Sequence, residues 1–299
     1  MKILVSGSSG LIGQALLPVL TGGGHAVTGL VRFQPQAGAT LVYWNPAAAE
    51  IDAEKLEGFE AVVHLAGESV AGRWTAERKR AIRESRVQGT RLLCETLVRL
   101  RNRPRVLVAA SASGYYGDRG DEVLREESAP GVSFLSQVCQ AWEAATKAAA
   151  GQGIRVVNLR IGFVLSGAGG GLAKMLPAFR MGMGGKIGSG KQYMSWIAID
   201  DLAQIIVFAL TAETLQGPVN AAAPNPVRNL EFTQTLGRVL RRPAVVPMPA
   251  FAVRLAFSEM GEELLLAGAR LEPARLLSAG YRFRWPQLEG ALRHLLRGE

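Results

Sequence analysis

A glycine turn near the start of the chain constrains the fold more than any other feature. The apolar run Lys2 to Ser6 passes directly into Gly7-Ser-Ser-Gly10-Leu-Ile-Gly13, and a helical pattern follows from about Gly10 to Leu20. In this order of strand, turn and helix, each glycine has a physical task. Gly7 permits the tight turn, Gly10 lets backbone approach a pyrophosphate, and Gly13 lets the helix pack closely on its strand. The spacing alone is weakly informative; its place after a strand and before a helix gives it weight. A dinucleotide site is therefore expected at this turn.

The rest of the first two-thirds repeats the alternation. Further short apolar strands are expected at Ala26 to Val31, Ala61 to Leu65, Val106 to Ala110 and Arg155 to Leu159, with helices from Thr75 to Leu100 and from Ser133 to Ala150. Strands this apolar, separated by helices, predict an α/β fold with a doubly wound parallel sheet covered on both faces. Pro18 is expected to bend the first helix or end its last turn early. After Arg160 the texture changes to a Gly-rich loop, Ser166 to Gly171, then to mixed segments and short helices. Pro243, Pro247 and Pro249 mark the expected boundary between a domain over 1–242 and a small mixed α/β C-terminal lobe over 243–299.

Dinucleotide sites of this kind commonly place an acidic residue roughly 20 positions after the glycines, on the adenosine ribose. Here the first acidic residue of the chain is Glu50, and Arg32 stands at the end of the second strand. A planar cation suits a 2′-phosphate, so the expected cofactor is NADP(H). A second glycine segment, Gly185 to Gln192, nearly fits a nucleoside triphosphate loop. Gln192 replaces the hydroxyl needed for magnesium, and the segment follows a helical stretch, Leu172 to Met181, so it is read as a flexible loop near the substrate pocket.

Composition excludes several classes. No apolar run reaches the ~18 residues of a membrane span, and no signal-peptide pattern opens the chain, so a cytoplasmic protein without a membrane partner is expected. Cys94 and Cys139 have no CxxC spacing, and His25, His64 and His294 are scattered, so no disulfide framework or metal site is expected. The net charge of +9 is concentrated between Arg73 and Arg105. Because those residues punctuate one amphipathic helix, they are read as its solvated face rather than as a nucleic-acid surface, with one arginine able to turn toward a phosphate.

The motifs GSSGLIG, His64-Leu-Ala-Gly67 and Ser195-Trp-Ile-Ala-Ile-Asp-Asp201 resemble the extended short-chain dehydrogenase/reductase superfamily. Leu65-Ala-Gly-Glu68, Gly114-Tyr-Tyr-Gly-Asp118, Trp142-Glu143, Gly169 to Gly171 and Gly188-Ser-Gly190 are similar to its atypical NAD(P)-dependent epimerase-like family. That family is often labelled as cell-division inhibitors, and carries a C-terminal domain of unknown function. The tail from about Pro249 to Leu296 resembles that domain. The resemblance implies a Rossmann domain binding NADPH, with Gly7, Gly10, Leu11 and Ile12 at the pyrophosphate, Val31 and Arg32 at the 2′-phosphate, and Ser9 and Gly67 also among the cofactor-binding residues. It further implies Leu65 and Ala66 beside the adenosine, Arg86 reaching the cofactor from the basic helix, and Val164 closing the pocket. A homodimer is common in the superfamily, although the dense like charge of the Thr75 to Leu100 helix opposes one built on that helix.

Ordinary members of the superfamily use a Ser/Thr, a tyrosine and a lysine four residues after it, the cation lowering the phenol pKa. The five tyrosines are followed at that spacing by Ala47, Arg119, Gly120, Ile197 and Trp285, so no YxxxK exists. Matching the family's catalytic helix puts Leu135 and Cys139 at the tyrosine and lysine positions, and Ala112 at the serine position between Ser111 and Ser113. Two readings remain. In one, an enzyme acting on a sugar-like or small carbonyl substrate uses Tyr115 or Tyr116 as a substitute acid, with Ser113 positioning a substrate oxygen and Arg119 near Tyr115. In the other, the protein binds NADP(H) without turnover, as a sensor or interaction protein. Glu68, Tyr115, Lys191 and Trp196 are candidate lining residues of the substrate site.

Overall fold

Every second residue of the first strand enters a different core, and this builds the layered architecture. In β1 (Lys2–Ser6), Ile3 and Val5 join the apolar cluster on one face and Leu4 the cluster on the other, all three fully buried. The computed structural model describes residues 1–36 and 38–298. After β1 come α1 (Leu11–Gly22), β2 (Ala26–Val31), β3 (Leu41–Asn45), β4 (Glu50–Ile51) and β5 (Ala61–His64). The long helix α2 (Ala76–Arg99) leads to β6 (Val106–Ala112) and the short β7 (Val123–Leu124). Then follow α3 (Phe134–Ala145), α4 (Lys147–Ala150), β8 (Arg155–Ile161) and β9 (Phe163–Leu165). The remainder is α5 (Gly170–Arg180), β10 (Tyr193–Met194), β11 (Trp196–Ala198), α6 (Ile199–Thr211), β12 (Gly217–Ala221), β13 (Val227–Arg228) and α7 (Asn229–Leu240). The tail adds α8 (Ala250–Gly261), β14 (Arg270–Leu271), α9 (Ala274–Ser278) and α10 (Leu288–Arg297).

One eight-stranded sheet has the order β12-β8-β6-β5-β1-β2-β3-β4 and is parallel except for the β3–β4 edge pair. This is the doubly wound arrangement expected from the alternation. Three small pairs, β10–β13, β9–β11 and β7–β14, decorate its carboxyl edge. The last of them ties the tail to the segment after β6. The tail also joins the main core through Leu276, Leu288, Ala291 and Leu292, and Asp201 at the start of α6 accepts from the Arg284 and Trp285 amides at 2.9 Å each.

Two helices and two strands differ from expectation. Helix α1 continues to Gly22 past Pro18: Pro18 and Gln14 both lie on the exposed side, where water can satisfy the Gln14 carbonyl that lacks its donor. The helix expected over Ser133 to Ala150 divides at Thr146, whose hydroxyl donates back to the Glu143 carbonyl at 2.8 Å and accepts from Asn158 at 3.2 Å. Strands β6 and β8 each run two residues further than their apolar stretches, because the polar side chains Ser111 and Arg160 are satisfied inside the protein.

Candidate cofactor cradle and active-site edge

The chain leaves β1 toward β2 on one side and returns as β5 on the other, so the carboxyl ends of β1 and β5 form the topological switch where such sheets bind ligands. Gly7 turns there at φ +72°, and a Cβ on it would stand 2.8 Å from the Leu65 carbonyl carbon. A Cβ on Gly13 would stand 2.3 Å from the Gly7 oxygen, so the helix is pressed against the turn itself. At Gly10 a Cβ would meet only the Gly7 oxygen, at 3.3 Å, and would otherwise fill the space over the helix start. The first intrahelical bond is Gln14 N to the Gly10 oxygen, and no side chain caps the helix. The Leu11, Ile12 and Gly13 amides therefore face that space without an acceptor from the helix, as an anion requires. Ser9 is exposed on the rim, and its carbonyl holds the Gln14 side-chain amide at 3.0 Å.

The opposite wall, Leu65 to Gly67, is fixed from beneath. The Ala66 amide donates to Ser6 Oγ at 3.3 Å, Ser6 Oγ lies 2.6 Å from His64 Nδ1, and His64 Nε2 lies 2.9 Å from Thr90 Oγ1, which also takes the Trp142 indole N–H. Burial lowers the His64 pKa to about 4. The unfolded chain therefore binds a proton that the folded chain refuses, so stability is intact above about pH 6.5 and falls as the pH drops through about 4. The expected loss across that window is about 3 kcal/mol. Urea midpoints measured from pH 7 to pH 4 check this; His64→Gln should flatten the slope, and an unchanged slope would remove His64 from the account.

Arg86 packs under Gly67, where a Cβ would come within 3.3 Å of its guanidinium carbon, and lies over the Trp142 ring at 5.0 Å. Its Nη1 is committed to the Glu68 and Ile82 carbonyls, while Nε and Nη2 have no partner among the described residues. Arg32 stands exposed at the end of β2, beside half-buried Val31, with no ion pair or hydrogen bond among the described residues. Val164 is half-buried in β9. Gly169 and Gly170 close over Leu11: a Cβ on either would approach its methyl carbons to 3.1 and 3.0 Å. From the sequence this glycine run stands as a loop and a family motif with no cofactor contact assigned to it, although a glycine triplet opening a helix is the same kind of signal as the first turn.

Beyond β6, one 3₁₀ turn, Ser113–Tyr116, carries the candidate hydroxyls at the edge next to β5. Ser113 and Tyr115 are half-buried, and neither hydroxyl has a partner among the described residues. Tyr116 is corrected from candidate acid to structural residue. It is fully buried, its one proton is shared between Asn220 Oδ1 at 2.7 Å and the Arg125 carbonyl at 3.0 Å, and burial pushes its phenol up to about 12. Arg119 pairs with Glu122 at 2.7 Å and not with Tyr115.

The cation at Tyr115 is instead Arg160, whose guanidinium carbon lies 3.4 Å from the ring centroid. Arg160 is almost wholly buried. Glu143 holds it through two hydrogen bonds of 2.8 and 2.9 Å, and its Nη1 reaches the Tyr116 hydroxyl and the Glu126 carbonyl. Ser111 completes this clamp, donating to Glu143 at 2.7 Å. Leu135 is buried among Trp74, Ile82, Val138 and Met260, and burial pushes the Cys139 thiol up to about 12, so the two positions of the usual catalytic pair are core. Cys94 is likewise buried, its thiol also near 12.

The lining candidates divide. Glu68 pairs with Arg78 at 3.0 Å, and the exposed Lys191 side chain has no partner among the described residues. Trp196 is withdrawn: it is fully buried and donates to the Asn225 carbonyl at 3.0 Å. The Gly185 to Gln192 loop is pinned rather than flexible. Gln192, the residue that breaks the triphosphate pattern, donates to the Ile187 and Leu265 carbonyls, and the Ile187 amide is held by Asn229.

Residues 3–222 match the NAD dependent epimerase/dehydratase family, and residues 248–295 match a domain of unknown function, DUF1731. The chain is 43% identical over 282 residues to the epimerase family protein Mb2239 of Mycobacterium bovis, covering 94% of this chain and 93% of that one. It is 36% identical over 300 residues to YfhF of Bacillus subtilis, covering 99% and 98%. The crystal structure of the human epimerase family protein SDR39U1 with NADPH superposes with a TM-score of 0.91 at 34% identity, over 99% of both chains. The protein therefore belongs to the NAD dependent epimerase/dehydratase family, in the branch that carries the DUF1731 domain.

Proposed function

We propose that this chain binds NADPH across the carboxyl edge of its sheet and transfers a proton through Tyr115 to or from the oxygen of a sugar-like or small carbonyl substrate. The cofactor would supply or accept a hydride when bound. Gly7, Gly10 and the Leu11 and Ile12 amides would hold its pyrophosphate, with Ser9 at the rim and Gly169–Gly170 covering Leu11. Arg32 would pair with the 2′-phosphate beside Val31. Leu65, Ala66 and Gly67 would face the adenosine, with Arg86 behind them and Val164 closing the far side. The NADPH in the human relative supports the choice of cofactor.

The observation that carries the catalytic part is a pair of unpartnered hydroxyls, Ser113 and Tyr115, beside this cradle, with Arg160 clamped under the Tyr115 ring. Ser113 would orient the substrate oxygen and Tyr115 would exchange the proton. No helix among the described residues is long and apolar enough to cross a membrane, and we place the reaction in the cytoplasm. The buried Leu135 and Cys139 favour a second reading, cofactor binding without turnover.

An assay of NADPH consumption over a panel of carbonyl compounds and nucleotide sugars separates the two. Tyr115→Phe is expected to lower kcat at least about 100-fold on any substrate found, with the NADPH dissociation constant unchanged. An unchanged kcat would remove Tyr115 from the chemistry, and tight binding with no turnover across the panel would favour the second reading.

A further inference from the structure

Two segments that meet on one side of the molecule contain no carboxylate of their own and bear protruding apolar side chains; the carboxylate that reaches the wall of the groove beside them, Glu289, is held by Arg238. The chain has no Asp or Glu between Glu143 and Asp200, and none between Glu231 and Glu259. These two acid-free segments are stitched together: the Val246 amide donates to the Gly184 carbonyl at 3.0 Å, Met248 to Lys186 at 2.9 Å, and Gly188 back to Met248 at 2.8 Å. Beside the seam opens a groove of about 790 Å³ whose walls include Lys186, Leu230, Arg241, Arg242, Pro243 and Val245. Lys186, Arg241 and Arg242 have no ion pair among the described residues. Arg241 takes the left-handed conformation at φ 54° to end α7, so the two arginines leave the helix rather than continue it.

The apolar residues around this seam are unusually exposed for their size. Val245 is 77% exposed, Met181 68% and Met183 60%, and on α8 Phe251 and Leu255 reach 70% and 85%. Phe251 and Leu255 are one turn apart, away from the buried Val253, so folding does not require them to be apolar.

We propose that this face docks on the surface of an anionic lipid bilayer, with Lys186, Arg241 and Arg242 meeting lipid phosphates and the protruding apolar side chains entering the headgroup boundary. The overall charge of +9 acts in the same direction. A second copy is a poorer occupant, because a two-fold contact would bring the same cationic surface of both partners together while Glu289, beside the groove, is already held by Arg238. Nucleic acid would answer the arginines but leave the apolar side chains in water. No helix among the described residues is long and apolar enough to cross a membrane, and the contact proposed is with the bilayer surface. The expectation of no membrane partner rested on the missing span, and surface docking requires none.

Cosedimentation of the full chain with phosphatidylcholine vesicles, with and without phosphatidylglycerol, tests the proposal. Binding should require phosphatidylglycerol. The double variant Arg241→Ala, Arg242→Ala should weaken it about 30-fold, the factor that corresponds to about 1 kcal/mol for each of two surface cations. The double variant Phe251→Ser, Leu255→Ser should weaken it at least about tenfold. All four side chains are exposed, so thermal midpoints should not move. The proposal is overturned if phosphatidylglycerol makes no difference, or if the apolar variant binds vesicles as the unmodified chain does. It is also overturned if the variants change the self-association mass in sedimentation equilibrium while vesicle binding stays constant.

Discussion

Arg32→Ala is expected to raise the NADPH dissociation constant between about 10- and 100-fold while leaving that for NADH within about twofold. The size follows from a charge-assisted hydrogen bond to a phosphate, worth about 1.5–3 kcal/mol. The selectivity follows from position. Arg32 makes no bond to the protein among the described residues, so its removal leaves no partner stranded and the strand it ends unchanged. No acidic residue precedes Glu50, so nothing on the first two strands competes for it. Equal weakening of both cofactors would show that Arg32 supports the loop rather than the 2′-phosphate.

The second large effect separates the glycines of the first turn. In Gly13→Ala the new carbon would lie 2.3 Å from the Gly7 oxygen and 2.6 Å from the Ser8 Cα, both backbone atoms with no rotamer to yield. The expected cost is about 3 kcal/mol, read as a fall in thermal midpoint of roughly 5–10 °C for a chain of this size. In Gly10→Ala the new carbon meets only one oxygen, at 3.3 Å, and occupies the space over the α1 amides. The midpoint should stay within about 2 °C, whereas NADPH affinity should fall at least about tenfold as the pyrophosphate is held off the backbone. Unchanged affinity in Gly10→Ala would place the phosphates elsewhere, and an unchanged midpoint in Gly13→Ala would contradict the close packing of helix on turn.

The sheet is legible in the sequence because burial on both faces forces continuous apolar runs. Ile3 to Val5, Ala61 to Val63 and Val106 to Ala109 are all buried, and they can be read without knowing their neighbours. The glycine turn is legible for a similar local reason, since its geometry is imposed by backbone alone. Polar burial is different, because it is decided by partners far along the chain. Tyr116 reads as a free hydroxyl beside Tyr115 until Asn220, 104 residues away, and Arg160, 44 residues away, take it inside. Arg160 looks out of place in an apolar strand until Glu143 on α3 neutralises it. The pair Trp142-Glu143 was the available signal, a carboxylate next to a large aromatic on the inner face of a helix. Trp196 lies in a motif near the substrate side, yet its indole N–H faces the Asn225 carbonyl of a turn that no periodicity announces.

The Arg160 clamp also changes how the missing catalytic pair is understood. The usual lysine brings a cation from the helix, one turn beyond the tyrosine. Here the helix positions are filled by Leu135 and Cys139, and a cation reaches a different tyrosine from the neighbouring strand. Glu143, one further turn along the same helix, fixes that cation instead of a lysine supplying it.

Titration of the unmodified protein with NADPH and with NADH, followed by the fluorescence of the reduced nicotinamide, tests the central claim most directly. The account predicts saturable NADPH binding at least about tenfold tighter than NADH, from one charge-assisted phosphate contact. No binding would contradict the Gly7 to Gly13 cradle, and equal affinity for the two cofactors would contradict the assignment of Arg32 to the 2′-phosphate.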